Sequence, residues 1–258
     1  MQISISNAIG GGGGAQGSGG GSSFASTNSF TFDGNSDYID LGNPASLQIT
    51  GALSISAWVK LSASASGVNA IILKDNLGLR CYDLVTTDDG LPRFVIWNTN
   101  NSYLVDATTD IEDGLWHHVV GVFSPSNSLK IYVDGVLEAT NSTSIPSSID
   151  NDNSPVTIGA LISSNVIFWP FLGNMDEVSV FNTELSGGFA GSDITTIYNN
   201  GVPNDITSLS PLSWWRMGEA ATYTGRNWDL IDQGSGGNDG TSDTLPAPPA
   251  QPSTDVPT

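Results

Sequence analysis

Cysteine and histidine are scarce in this chain of 258 residues. Cys81 is the only cysteine, so no disulfide can form within the chain. Its setting, L-R-C-Y-D-L-V, is typical of a strand and indicates a buried, unreactive thiol. His117 and His118 are the only histidines. Adjacent residues on a strand point to opposite faces, so the pair cannot build one zinc centre or serine triad, and we expect His118 to be a core or edge histidine.

Basic residues are also few, since 7 Lys and Arg stand against 26 Asp and Glu, for a net charge of -19. Such a surface repels phosphate backbones and anionic lipids, so we expect neither a nucleic acid nor a membrane partner. The same field attracts cations, although a merely soluble, salt-tolerant surface would have this composition too. There is no run of about 18 apolar residues and no basic, then apolar, start typical of a secretion signal, which predicts folding in a cytoplasm.

Composition divides the chain into three parts. Residues 1–26 form a glycine-rich N-terminal arm, with nine glycines in the twelve positions 10–21. Residues 27–201 carry regular patterning, and residues 202–258 end in a proline-rich tail. A glycine-rich or proline-rich segment cannot bury enough surface to fold alone. We therefore predict one domain with extended N- and C-terminal arms that are held by neighbouring subunits or other copies of the chain.

Alternation of apolar and polar residues from Phe30 to Phe181 predicts antiparallel strands. In Ser54–Leu61, for example, the odd-numbered positions are apolar and should face the core. Two alternating runs meet at Asp134-Gly135, a pair that favours a type I′ hairpin turn. One short helix is predicted after Ser192, which can cap it, and Gly201 ends it. The pattern predicts an all-β antiparallel sandwich with one short helix.

Five segments together resemble the laminin-G-like or pentraxin-like branch of the concanavalin A-type lectin/glucanase sandwiches. The segments are F-D-G-N-S-D-Y-I, S-A-W-V-K, W-H-H-V, I-Y-V-D-G and G-N-M-D-E-V-S-V-F, followed by I-T-T-I-Y. The resemblance covers residues 27–201 and implies a jelly roll of two curved antiparallel sheets.

In the family this resemblance implies, a W-x-x-x-E strand and a D-x-S-G-N-x-x-G-T turn come before the first of those segments. Here the nearest equivalents are Trp215–Glu219 and Asp232–Thr241, which follow the sandwich. We predict that residues 212–241 supply the missing first strand, either within the same chain, as in a circular permutation, or by crossing to a neighbour. A separate surface hairpin is the alternative.

The resemblance also implies one structural calcium ion, held by carboxylates and carbonyl oxygens. Asp33 and Asp176 match acidic positions of the family motifs and are the candidate ligands. Calcium takes six to eight oxygens, so carbonyls and water would have to complete the shell. The alternative is that each Asp caps a turn or accepts backbone hydrogen bonds.

Aromatic residues are the candidates for glycan binding, because aromatic faces stack on sugar rings. Trp97, Tyr103, Trp169 and Phe171 are such candidates, with Trp169 in the best position because it precedes a proline in a predicted loop. Most of them should lie in the core, where large aromatic side chains are usually buried. Trp97 and Trp169 are the two that we select.

Hydrolysis is disfavoured, because fold relatives that cleave glucans carry E-x-D-x-x-E on one strand and this sequence lacks it. The nearest acidic pair, Asp176-Glu177, should point to opposite faces of a strand. The last third also resembles structural proteins of marine bacteriophages. Our leading hypothesis is therefore a noncatalytic virion component, a capsid decoration or fibre-associated protein that adsorbs to glycans. A free bacterial carbohydrate-binding module is the second hypothesis, and a divergent glycoside hydrolase is the third.

Overall fold

The structure, a computed structural model, describes residues 24–242 and 252–258. Most of the predicted N-terminal arm and the first part of the proline-rich tail lie outside these residues, so their roles stay predictions. Two antiparallel sheets pack face to face, with one short α-helix outside them, which confirms the predicted all-β jelly-roll class. No helix in the described part of the chain is both long enough and apolar enough to span a bilayer.

The first sheet contains eight strands in the described residues, numbered along the chain. They are β1 (Ser29–Asp33), β3 (Leu53–Leu61), β8 (His117–Ser124), β9 (Ser128–Val133), β10 (Val136–Asn141), β14 (Leu172–Phe181), β15 (Ser213–Trp215) and β19 (Pro252–Ser253). Their order is β10-β9-β8-β3-β14-β1-β19, and β15 pairs with β14 as well.

The second sheet contains nine strands within the same described ranges. They are β2 (Ile39–Asp40), β4 (Asn69–Asp75), β5 (Arg80–Thr86), β6 (Pro92–Asn98), β7 (Asn101–Asp106), β11 (Val156–Ile158), β16 (Ala221–Tyr223), β17 (Trp228–Leu230) and β18 (Gly240–Ser242). Their order is β16-β17-β18-β2-β11-β4-β5-β6-β7. A separate hairpin, β12 (Leu161–Ser163) and β13 (Val166–Phe168), lies beside β4.

One apolar core fills the space between the sheets. On β3 the inward residues are Ile55, Ala57, Val59 and Leu61, as the alternation predicts. Gly121 on β8 makes room for Phe94 from the opposite sheet, because a Cβ at residue 121 would lie 2.4 Å from a carbon of the Phe94 ring. Cys81 is also in this core, and burial raises the pKa of its thiol to about 12, which confirms an unreactive cysteine.

The outer face of the first sheet is covered by the helix α1 (Asp193–Tyr198), which Ser192 caps as predicted by accepting the Thr195 N–H. Tyr198 stacks on Trp58, with ring centroids 5.7 Å apart, and on His118. His118 is fully buried, and its Nε2 lies 2.8 Å from the Ser56 hydroxyl. Burial lowers the His118 pKa to about 3, so it is a neutral core residue, as expected.

The type I′ hairpin is confirmed between β9 and β10. Asp134 and Gly135 both have positive φ angles, 50° and 78°. The Asp134 carboxylate accepts the backbone N–H of His118 at 2.8 Å, and its other oxygen lies 2.8 Å from Nδ1 of His117. The turn is therefore held by the contacts of the Asp134 side chain with strand β8 as well as by its own backbone conformation.

The C-terminal segment completes both sheets from within the same chain. β15 pairs with the second half of β14, on the edge where β1 pairs with the first half. Trp215 enters the core and donates its Nε1–H to the Asn238 carbonyl at 2.8 Å. β18 pairs with β2 in the second sheet. Residues 212–241 thus pair within the same chain, and their equivalence to the family's first strand stays a prediction.

The described end of the tail also packs on its own sandwich. β19 adds to the edge of β1, and the Asp255 carboxylate accepts hydrogen bonds from Lys60 Nζ at 2.7 Å and Trp116 Nε1 at 2.9 Å. We expected this tail to hold a neighbouring subunit. In the structure, residues 252–258 contact β1 and Lys60 of the same chain, and a role in holding a neighbouring subunit stays a prediction.

Candidate functional site

Trp97 and Trp169, selected from the sequence as glycan-binding candidates, line one pocket on the outer face of the second sheet. We call it the outer-sheet pocket. Its volume is about 230 Å³. Polar and aromatic lining comes from Asp83, Thr86, Arg93, Trp97, Ser102 and Trp169, and aliphatic lining from Val68, Val85, Val95 and Leu104. On the outer face of the first sheet, Ile194 and Ile197 of α1 belong instead to an apolar cluster with residues of β8, β9 and β14.

Strand alternation builds the floor of the pocket. Across β4, β5, β6 and β7, one row of paired residues is Leu73, Asp83, Val95 and Leu104. Asp83 is thus a single carboxylate in an aliphatic row, and its side chain is 3% exposed. Its Oδ2 accepts the Trp97 Nε1–H at 3.3 Å, whereas its Oδ1 has no hydrogen-bond partner in the described residues.

Burial is the main reason why the pKa of Asp83 is raised well above its usual range, and repulsion from Asp75 adds to the shift. The Trp97 N–H and the Arg80 cation oppose the shift only in part. An unpartnered buried polar atom costs about 1–3 kcal/mol. Asp83 Oδ1 and Thr86 Oγ1, which both line this pocket without a hydrogen-bond partner, are therefore the atoms that a ligand hydroxyl would satisfy.

The walls hold the two tryptophans in place. Trp169 follows β13 and has a φ of 52°, and its carbonyl accepts the Ala70 N–H at 2.9 Å. Trp97 lies under the Arg80 guanidinium, whose carbon is 4.6 Å from the ring centroid. At the far end Arg93 makes two hydrogen bonds to Asp106, of 2.6 and 2.8 Å. Both tryptophan rings remain half-buried, which leaves part of each ring accessible.

The other two aromatic candidates do not belong to this site. Phe171 is fully buried and packs edge-on against Phe32 in the core. Tyr103 pairs with Ile96 on the inward row of β7 and packs against the core cluster. Strand alternation separates Tyr103 from Trp97, since its neighbours on β7, Ser102 and Leu104, line the outer-sheet pocket and Tyr103 does not.

A second group of polar residues, Asp176, Glu177 and Glu219, forms an acidic cluster beside β14. One carboxylate oxygen from each lies within 4.8 Å of the others. The prediction that Asp176 and Glu177 point to opposite faces is wrong. A β-bulge interrupts the pairing of β14 with β3 after Asp176, and Glu177 has a φ of 49°, so two residues separate the inward-facing Met175 and Val178.

Hydrogen bonds from three segments hold the acidic cluster. Asp176 accepts the Ser26 hydroxyl and the Glu177 N–H, and Glu177 accepts Trp214 Nε1 at 2.6 Å and Arg216 Nε at 3.1 Å. Glu219 accepts the backbone N–H groups of Thr27 and Asn28 on one oxygen, and its Oε2 is buried without a partner. Burial, then charge repulsion from Glu177, raises the pKa of Asp176 well above its usual range.

The acidic cluster offers the all-oxygen donors that calcium prefers, and Glu219 Oε2 is free to bind. Arg216 Nε lies 3.1 Å from Glu177 Oε1 and brings one positive charge to the cluster. Asp176 therefore fits a cation-binding role as the family resemblance implied, with Glu177 and Glu219 as partners that the sequence analysis did not select. The segment W-R-M-G-E contains Glu219, and it is the sequence feature from which Glu219 could have been selected.

Asp33, the other calcium candidate, lies elsewhere. β1 pairs Asp33 with Leu172, four residues before Asp176 on β14, or about 13 Å along the strand. Its Oδ1 accepts the N–H groups of Asn35, Ser36 and Asp37. Burial raises the pKa of Asp33, but these hydrogen bonds outweigh it and the net pKa is lowered. Asp33 thus caps a turn, the alternative considered for it.

The family model of the concanavalin A-like lectin/glucanases superfamily matches residues 33–188. This chain belongs to that superfamily. The matched range includes β2 to β14 and the outer-sheet pocket, and it ends before the C-terminal strands that complete the superfamily sandwich here. A comparison with curated proteins gives no match.

Solved structures of the superfamily type share the fold. A Bacteroides ovatus protein described as a "putative carbohydrate binding protein" has a TM-score of 0.66 at 17% identity, over 91% of this chain and 62% of that one. The chain therefore spans less than two thirds of that protein. A heptameric SAP-like pentraxin from Limulus polyphemus gives 0.51 at 14% identity, over 68% and 84% of the two chains. The CBM40 of a Ruminococcus gnavus sialidase, bound to α2,6-sialyllactose, gives 0.52 at 18%, over 62% and 92%.

Proposed function

We propose that this protein is a noncatalytic carbohydrate-binding module and that the outer-sheet pocket binds the sugar. The observation that carries the proposal is the position of two half-buried tryptophan rings beside Asp83 Oδ1 and Thr86 Oγ1, two buried oxygens of the pocket lining that lack a hydrogen-bond partner. A pyranose ring supplies both complements, because its C–H face stacks on aromatic rings and its hydroxyls bond to the carboxyl group. The fold shared with a CBM40 that is bound to α2,6-sialyllactose supports the proposal at the level of the fold.

The acidic cluster is the only place in the described residues where three carboxylates meet, and it does not favour hydrolysis. Its Asp176 is fully buried and Glu177 nearly so, and both oxygens of each already accept hydrogen bonds. A sugar ring would have to displace Ser26, Trp214 and Arg216 to reach them. The burial and the hydrogen bonds of Asp176 and Glu177 therefore support a structural role for the pair, in preference to roles as nucleophile and general acid.

The virion placement expected from the sequence stays a prediction, as do attachment to other virion subunits and assembly from a host cytoplasm. None of the similar structures described above is a virion protein. A free bacterial module explains the pocket equally well, so the glycan-binding role does not depend on where the protein is placed.

Isothermal titration calorimetry with uncharged oligosaccharides tests the binding role. We expect Trp169→Ala to weaken binding by tenfold or more, about 1.4 kcal/mol, because the stacking surface is lost. Trp116→Ala is the matched control, since Trp116 lies outside the pocket. Equal loss in both variants, or no binding of any carbohydrate by the native protein, contradicts the proposal. Circular dichroism establishes that each variant is folded.

We also propose that the acidic cluster binds one structural calcium ion, and thermal unfolding with and without calcium tests it. At ten times the dissociation constant the ion would add about 1.4 kcal/mol to the free energy of unfolding, or a few degrees in Tm. Glu219→Gln should abolish this gain, while Asp33→Asn should keep it because Asp33 only caps a turn. A gain lost in the Asp33 variant and kept in the Glu219 variant would contradict the assignment.

A further inference from the structure

A second cavity adjoins the outer-sheet pocket on the other side of Trp97. Its volume is about 330 Å³, and Arg80, Trp97, Asn100, Asp150 and Asp152 contribute to its lining. Trp97 is the one residue that lines both cavities. Ligand pockets usually have volumes of about 300–1,000 Å³. The outer-sheet pocket alone falls below that range, whereas the two cavities together lie well within it.

The second cavity is a fixed part of the fold. The Asp150 N–H donates to the Trp97 carbonyl at 2.8 Å, which joins the loop before β11 to β6. Asn100 belongs to the tight turn between β6 and β7, where Asn98 pairs with Asn101. The side chains of Asn100 and Asp150 make no hydrogen bond to any described residue. Together they offer a donor and acceptors next to the tryptophan ring.

Neither cavity contains a cation without a carboxylate partner. Arg93 is paired with Asp106 in the first cavity, and Arg80 lies 3.5 Å from the carboxylate of the fully buried Asp75 in the second. Asp150 adds negative charge to the second cavity, in a protein whose net charge is -19, whereas Asp152 is ion-paired with Lys74 Nζ at 3.6 Å. A sugar carboxylate or sulfate would have to break an ion pair and lie near further anions.

We infer that the ligand is an uncharged oligosaccharide of at least two pyranose residues, which crosses Trp97 and occupies both cavities. This inference rests on the proposed function and adds its ligand class. One residue of the sugar lies between Trp97 and Trp169 above Asp83. The next residue lies beside Asn100 and Asp150, where its hydroxyls exchange hydrogen bonds with the amide and the carboxylate. Arg80 and Arg93 keep their carboxylate partners.

Calorimetry on the full chain tests the inference with cello-, laminari-, malto-, manno-, xylo- and chito-oligosaccharides of one to four residues. The anionic probes are 3′-sialyllactose and polygalacturonate. We expect at least one uncharged disaccharide to bind ten times or more tightly than its own monosaccharide. Neither anionic probe should bind more tightly than that disaccharide.

Variants then locate the second sugar. Asn100→Ala combined with Asp150→Ala should weaken the disaccharide about tenfold and leave monosaccharide binding unchanged. The control combines Asn35→Ala with Asp229→Ala, which removes the same two side-chain types from outside both cavities. This control should bind as the native protein does.

Three results would overturn the inference while the binding role stands. They are equal affinity for monosaccharide and disaccharide, no effect of the Asn100 and Asp150 changes, or tightest binding of an anionic probe. Failure of every carbohydrate to bind would instead overturn the proposed function itself, so the two failures are distinguishable.

Discussion

Asp37 is one residue whose ionisation should lower stability near neutral pH, together with Glu177, whose pKa is likewise raised to about 7 by burial. Burial, then the negative charge of Asp33, raises the pKa of Asp37 from 3.8 to about 7. Its Oδ2 accepts the Asp33 N–H at 2.9 Å, while its Oδ1 is buried without a partner. The folded state therefore favours the protonated carboxyl group, in contrast to the unfolded chain.

The sign of the pH dependence follows from that raised pKa. The contribution of Asp37 to the free energy of unfolding is fully present below about pH 4 and is lost as the pH rises through about 7. Asp37→Asn should remove this decline and raise stability at pH 8 by about 1–3 kcal/mol. Urea unfolding at several pH values measures it. Asp89→Asn, at an exposed carboxylate, is the control, and an unchanged slope for Asp37→Asn would contradict the assignment.

For single residues, the sequence indicates which residue types can bind a sugar better than it indicates how buried each of them is. Trp97 and Trp169 could be selected because tryptophan is the residue type that stacks on sugars. Asp83 could not, because an aspartate within L-R-C-Y-D-L-V looks like any outward polar residue of an alternating strand. Its buried state depends on Leu73 and Val95, its neighbours on other strands. Such neighbours are known only once the sheet order is known.

The β9–β10 hairpin is the element whose local sequence most fully determines its structure. Gly135 has a φ of 78°, and a Cβ there would lie 2.8 Å from the Tyr198 ring. Gly135→Ala should therefore lower the free energy of unfolding by about 2–4 kcal/mol, from the positive φ and from the clash. Chemical denaturation measures the loss.

Gly188→Ala separates the two causes. Gly188 has a φ of 85°, but nothing lies within 4 Å of the position that its Cβ would take. Its loss should be only about 1–2 kcal/mol, the cost of a positive φ alone. Equal losses at residues 135 and 188 would show that Tyr198 moves aside at no cost.

The bulge in β14 shows where alternation fails as a guide to a single element. G-N-M-D-E-V-S-V-F alternates well enough to predict a strand, and the strand exists. Nothing in those letters indicates that Glu177 takes a positive φ. Its conformation is held by Trp214 and Arg216, which arrive from the C-terminal segment. The acidic cluster could therefore not be predicted from the sequence of β14 alone.

For the whole molecule, the sandwich is incomplete without residues beyond 201. The jelly roll predicted from the sequence spans residues 27–201, with one further strand from residues 212–241. The structure adds β15 to the first sheet and β16 to β18 to the second. The family match ends at residue 188, so the additional strands could be anticipated only from the displaced W-R-M-G-E and D-Q-G-S-G-G-N-D-G-T segments.

A chain truncated after residue 205 should therefore fail to fold cooperatively. It loses Trp215 and Leu230 from the core and leaves the edges of β14 and β2 unpaired. Loss of a buried tryptophan alone costs about 3–5 kcal/mol, which is comparable to the stability of many domains. The measurements are a thermal unfolding transition and the binding of a dye specific for exposed apolar surface.

A chain truncated after Ser242 is the matched control. Among the described residues it loses β19 and the contacts of Asp255 with Ser29, Lys60 and Trp116, so it should unfold cooperatively with a Tm only a few degrees lower. A sharp native-like transition in the shorter chain would contradict the view that the C-terminal strands are integral to the sandwich.

Because the C-terminal strands pair with β14 and β2, the order of synthesis also limits when the protein can fold. A ribosome makes β1 to β14 first, yet the partners that close both sheets emerge only when Ser242 has left the exit tunnel. Until then the nascent chain carries two open strand edges and an apolar interior, the features that invite aggregation or chaperone capture. Native structure should therefore appear after translation of this region, and pauses downstream of α1 should lower the yield of functional protein.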